Sequence, residues 1–119
     1  MAESATYRLF RQAMAELRPV SCSYGGMRRE ICPIILGHSG GAEKALVYQF
    51  GGESSQGAAG ARGWKCRTLS KVRNAHVIDG VWHDGPGPHG QAQSCVANVD
   101  RDVNPASPYR PRRSLRPRT

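Results

Sequence analysis

Residues 20–36 read Val20-Ser-Cys-Ser-Tyr-Gly-Gly-Met-Arg-Arg-Glu-Ile-Cys-Pro-Ile-Ile-Leu36. Val20, Cys22 and Tyr24 alternate with serines, so they share one face of an extended strand. Gly25 and Gly26 tolerate the positive φ angles of a tight hairpin turn. A two-residue turn sets Tyr24 opposite Met27, Cys22 opposite Arg29 and Val20 opposite Ile31. Arg29 then falls on the apolar face. Either the register differs, or Arg29 stands at a rim with its head free. Pro33 has no N–H to give to a ladder and marks an edge or a bulge.

Outward from this hairpin the period stays at two. Gly37-His-Ser-Gly-Gly41 reads as a second hairpin loop and Ala45 to Phe50 as a third strand. Trp64 to Leu69 makes a fourth, and Val72 to Ile78 a fifth ended by the turn signal Asp79-Gly80. Gly51 to Gly63 holds five glycines in thirteen residues, which predicts a mobile loop. Val81-Trp82 would begin a short sixth strand, 84–94 show no periodicity, and 94–103 fit either a short strand or a helical turn. Upstream, residues 4–18 read as one amphipathic helix, with Phe10, Ala13, Met14 and Leu17 on one stripe. Ser4 or Thr6 would cap it, and Pro19 would end it by biasing Arg18 out of helical geometry. Such a stripe must pack on the open end or one face of the strands after it. The expected architecture is mainly β: a small barrel of about five strands after one N-terminal helix. Residues 1–104 would form a single domain, and 105–119 a disordered Arg/Pro tail.

The chain has 119 residues, enough for one core. Mean hydropathy is −0.53, and no apolar run nears the ~20 residues of a membrane span. Met1-Ala-Glu-Ser-Ala lacks a basic and then apolar leader, so the expected location is cytoplasmic, with no membrane partner. Formal net charge is +8, but 105–119 carry five arginines and no acid. That leaves twelve basic and nine acidic residues in 1–104, a net of +3. Cys22, Cys32, Cys66 and Cys95 are 10, 34 and 29 residues apart, without the close pairs of zinc knuckles. In the cytoplasm disulfides are not expected either, and Cys22, Cys32 and Cys66 read as small buried hydrophobes.

Basic residues recur among the strands: Arg28, Arg29, Lys44, Arg62, Lys65, Arg67, Lys71 and Arg73. As a nucleic-acid site they would neutralise phosphates while Tyr24, Tyr48 or Trp64 stacked a base; otherwise they are an ordinary solvated face. Alternation puts Lys65 and Arg67 on one face of their strand, with Trp64 and Cys66 on the other. The glycine loop lacks a phosphate-loop motif. His38, His76, His83 and His89 are dispersed, so no metal is expected. Neither a nucleophile elbow nor a paired-carboxylate arrangement is present, and the reading is non-enzymatic, without cofactor.

Tyr24, Arg29-Glu-Ile-Cys-Pro33-Ile-Ile-Leu36, Lys44-Ala-Leu46 and Lys65-Cys-Arg-Thr-Leu-Ser-Lys-Val72 together resemble the WYL-domain family over about residues 17–80. Lys44 and Ala45 stand where that family carries two aromatics. The resemblance implies an SH3-like or Sm-like barrel that senses ligands in bacterial transcription regulation, or attaches to helicases and CRISPR-associated proteins. It implies a binding face of Tyr24, Arg29, Lys65, Arg67 and Lys71, and nucleotides or single-stranded nucleic acid as ligands. One N-terminal helix is too little for a helix-turn-helix, so the relative would be a stand-alone sensor or adaptor. The alternative is an SH3-like protein-interaction adaptor that binds a protein partner at an edge or rim. An unpaired edge would also offer a homodimer contact.

Overall fold

The computed structural model describes residues 3–52, 63–83 and 95–103. Helix α1 spans Ala5–Glu16. The strands are β1 (Val20–Tyr24), β2 (Met27–Ser39), β3 (Ala42–Gly52), β4 (Gly63–Thr68), β5 (Arg73–Val77) and β6 (Asn98–Asp102). The Gly-rich stretch 53–62, residues 84–94 and the Arg/Pro tail lie outside the described residues.

Ser4 caps α1, its Oγ accepting the Tyr7 N–H at 3.0 Å. The helix stops two residues earlier than expected. Leu17 takes a left-handed conformation, φ 53°, and the Arg18 N–H reaches back to the Ala13 carbonyl at 3.0 Å. That turn swings Leu17 off the apolar stripe, and it is 51% exposed. Tyr7, Phe10, Ala13 and Met14 are the buried face.

The six strands form one antiparallel sheet in the order β4-β3-β2-β1-β5, with β6 pairing β2. The β1–β2 register is the expected one, Val20 opposite Ile31 and Cys22 opposite Arg29. Gly25 and Gly26 have φ of 64° and 79°, as a two-residue turn requires. The second turn is tighter than predicted: β2 runs to Ser39, and only Gly40-Gly41 turn the chain. Pro33 lies in a central strand, at a bulge that leaves Ile34 without a partner on β3. Residues 94–103, open between strand and helical turn, contribute strand β6. Val81-Trp82 is not a strand.

The bulge gives β2 two buried faces. Before it, Ile31 faces inward and Cys32 outward; after it, Ile34 and Ile35 face outward and Leu36 inward. The inner core joins the α1 stripe to Val20, Cys22, Ile31, Leu36, Ala45, Val47, Leu69 and Val72. The outer core gathers Cys32, Ile34, Ile35 and Leu46 under Val96 and Val99. Gly37 is where β6 approaches: a Cβ there would overlap the Asn98 carbonyl oxygen. Among the described residues no ladder joins β4 to β5, which a 3-10 turn at Leu69–Lys71 connects, so the sheet is open. No described helix is long and apolar enough to cross a membrane.

The cysteine reading needs correction. Cys22 and Cys32 are buried thiols outside any disulfide, as expected, but Cys66 is exposed and bonded to Cys95. Odd and even positions of β4 face opposite ways, and Cys66 points outward, to where the segment entering β6 passes. Sequence separation of 29 hid that proximity.

Gly37→Ala should lower stability by about 1–3 kcal/mol in chemical denaturation, since the added methyl must push β6 aside. Reducing the Cys66–Cys95 bond, which closes a 29-residue separation, should cost about 3–4 kcal/mol by loss of the loop constraint. A Cys66→Ser, Cys95→Ser double variant should reproduce that loss and show no further response to reductant.

Candidate anion-binding site

The register of the first hairpin brings Arg29 inside. Across from Cys22, its side chain is 8% exposed. Its head is neither out of register nor free at a rim. Arg29 Nε and Nη2 donate to the Tyr24 carbonyl oxygen at 3.2 and 3.1 Å, and Nη1 donates to Gln49 Oε1 at 3.5 Å.

Gln49 arrives by alternation on β3. Ala45, Val47 and Gln49 share the inner face, and Gln49 is fully buried opposite Ile31. Its Nε2 donates to the Gly51 carbonyl at 3.1 Å, which aims Oε1 at the arginines. From β4, Arg67 Nη2 donates to the same Oε1 at 3.1 Å. The Arg67 guanidinium lies over the Tyr24 ring, 4.3 Å from its centroid, a cation–π contact. The Tyr24 hydroxyl in turn accepts the Thr68 N–H at 3.2 Å. Side chains thus tie the end of β1 to the end of β4 across the open side of the sheet.

Two guanidinium groups therefore converge on one neutral amide oxygen. Among the described residues no carboxylate pairs with either, whereas Arg11, Arg18 and Arg28 each have an acidic partner. The Arg67 Nε is buried without an acceptor. Burial, and then the charge of Arg29, push the Arg67 pKa below its ordinary value. Burial raises the neighbouring Cys22 thiol to about 11, against the weaker pull of Arg67 and Arg29. Such a thiol is uncharged and unreactive at neutral pH.

Of the residues expected at the site, Tyr24, Arg29 and Arg67 meet directly. Lys65 is two residues before Arg67 on the same face of β4. Lys71 is exposed on the 3-10 turn and makes no polar contact among the described residues. Tyr48 and Trp64 pack edge to face, centroids 5.4 Å apart, against the outer core and away from the arginines. Of the remaining described cations, Arg28 pairs with Glu30, Lys44 with the Thr68 hydroxyl, and Arg73 with backbone carbonyls. Arg62 lies outside the described residues. Sequence reasoning missed Gln49. Its one signal was a glutamine at an inward position of an otherwise apolar alternation, opposite the strand that carries Arg29.

A second polar cluster ties the helix to β6. The Tyr7 hydroxyl donates to Asp100, His38 Nδ1 lies 3.1 Å from the same carboxylate, and the Tyr7 and His38 rings stack. Burial, then the Asp100 bond, push the Tyr7 pKa up, so it stays a neutral donor. No group of three or more potential metal ligands occurs among the described residues. No protein-family model, curated protein or solved structure matches the chain.

The raised Cys22 pKa gives a pH dependence. From an ordinary value of 9.0 to about 11 in the fold, the neutral thiol is the favoured native form. Its contribution is complete below pH 9.0 and lost as pH rises through about 11. The native protein should lose more melting temperature over that interval than Cys22→Ala does, a difference on the order of 2 kcal/mol. Parallel profiles would refute the assignment.

Proposed function

We propose that the chain is a non-enzymatic ligand-binding module that takes a nucleotide or single-stranded nucleic acid through its phosphate, at Arg29, Arg67 and Lys65, beside Tyr24. Lys71 would reach the ligand from its exposed turn. The observation that carries this is the charge imbalance at Gln49. Both arginines donate to one oxygen, so the donor nitrogens are within about 7 Å, where two unit charges repel by about 2 kcal/mol at an effective dielectric near 20. Among the described residues no carboxylate pairs with either arginine, and a bound phosphate would turn the repulsion into two charge-assisted hydrogen bonds.

Fold considerations support the same reading. The order β4-β3-β2-β1-β5, with a 3-10 turn before β5, is what an SH3-like or Sm-like barrel would require. Tyr24, bridging to Thr68 and Arg67, would hold its seam. On this reading the chain is a relative of WYL domains, a bacterial sensor in transcription regulation. In a cytoplasmic setting Cys66 and Cys95 would be held as thiols. The β6 ladder and the Ser39 hydroxyl, which bonds the Cys95 carbonyl and the Ala97 N–H, would then retain the segment. A second reading, a protein-interaction adaptor or homodimer, is favoured by the sheet edges: among the described residues β4 pairs only with β3, and β5 only with β1.

Arg67→Ala should weaken binding of a labelled oligonucleotide by about 1–3 kcal/mol and flatten its salt dependence. Deleting 105–119 in parallel separates binding by the tail from binding by the sheet. Gln49→Glu supplies the missing carboxylate. It would pair with both guanidinium groups and compete with a ligand's phosphate for them, so it should weaken binding about tenfold. Undiminished affinity in both variants, or a pull-down that returns proteins but no nucleic acid, would favour the adaptor instead.

A further inference from the structure

We infer that this site selects a phosphate monoester and ignores the base attached to it; the inference rests on the anion-binding reading above. The first support is charge. Two guanidinium groups with no acidic partner among the described residues match a dianion. A phosphate monoester carries nearly two negative charges at neutral pH, and an internal phosphodiester carries one.

The second support is depth. Arg29 is 8% exposed and Gln49 is fully buried, while Arg67 is only half-buried, so a ligand reaches the pair from the Arg67 side. A group that ends its own chain can enter such a place. A phosphodiester, flanked by sugar on both sides, is held further from a buried guanidinium by its second flank. The donors agree. Arg29 commits Nε and Nη2 to the Tyr24 carbonyl and Nη1 to Gln49, and Arg67 gives only Nη2 to Gln49. Arg67 Nη1 remains for a ligand, and Nε is a buried donor lacking an acceptor. Three terminal oxygens of a monoester offer more acceptors to this set than the two of a diester.

The third support is the lack of a platform for a base. One face of Tyr24 is covered by the Arg67 guanidinium, and its hydroxyl is engaged by Thr68. Tyr48 and Trp64 pack on the outer face of the sheet. Among the described residues, stacking, which usually dominates recognition of unpaired bases, finds no open aromatic face beside the two arginines. Phosphate is then the recognised group, whether it ends a nucleotide, a phosphorylated strand or a sugar.

Calorimetric titration of the full chain with AMP, UMP, ribose 5-phosphate, adenosine and the dinucleotide ApU tests this. The three monoesters should agree within about threefold, with adenosine and ApU weaker by about tenfold or more. Arg67→Gln should cut monoester affinity about tenfold, and Arg67→Lys should restore only part of it, because an ammonium lacks the planar fork. Gln49→Glu, with its melting temperature followed in parallel to show that it is folded, should also cut monoester affinity about tenfold. The inference is overturned, with the anion-binding reading intact, if ApU binds as tightly as AMP through Arg67, or if AMP and UMP differ more than about tenfold. If no phosphate compound binds in an Arg67-dependent way, the underlying reading fails as well.

Discussion

The two-residue turn at Gly25-Gly26 constrains nearly everything else in this chain. Two adjacent residues in the left-handed region come without steric cost to glycine, and they set β1 against β2 in one register. A slip of one residue would send Cys22 and Val20 to the opposite face. In the register observed, Val20 and Ile31 anchor the inner core, and Arg29 enters behind them as a charged side chain on an apolar face. A buried guanidinium must find acceptors. The Tyr24 carbonyl, freed at the strand end, and the Gln49 amide meet that need. The turn, the core and the arginine cluster thus have one origin.

β2 extends the consequence along the sheet. A strand that keeps its parity serves one core. The bulge at Pro33–Ile35 breaks parity, so β2 serves an inner core under α1 and an outer core under β6. Proline and the bulge suit each other, because the ladder is already interrupted there. The outer core would otherwise present Cys32, Ile34, Ile35 and Leu46 to water. Val96 and Val99 cover them, held by the β6 ladder, the Ser39 hydroxyl, the Tyr7–Asp100 bond and the Cys66–Cys95 disulfide. Several modest ties therefore retain one short segment.

Charge placement separates structural cations from the candidate site. Arg11, Arg18 and Arg28 sit in exposed pairs with acids, of the kind that contribute little to stability. Arg29 and Arg67 are drawn in from water and share a neutral acceptor. Arg67 also closes over Tyr24, so it has a structural duty at the seam between β1 and β4. The two duties are compatible: a guanidinium can lie flat on a ring while its edge nitrogens face a ligand.

Much of the backbone was legible in the sequence, because local rules govern it. Period-two alternation located β1, β3, β4 and β5. Paired glycines located the first turn, the second was bracketed within residues 37–41, and the helix start was narrowed to a cap at Ser4 or Thr6. Face assignment by alternation also put Lys65 and Arg67 together, opposite Trp64 and Cys66. What local rules do not reach is the meeting of distant segments. The stop at Leu17 depends on a left-handed residue that propensity disfavours. The partner of Cys66 depended on where β6 lands, and the acceptor for Arg29 on a glutamine twenty residues away. Strand period and turn chemistry are written residue by residue. Which buried charge lies beside which amide is decided only when the sheet curls and the inner face is drawn together, since burial and hydrogen bonding are properties of the assembled fold.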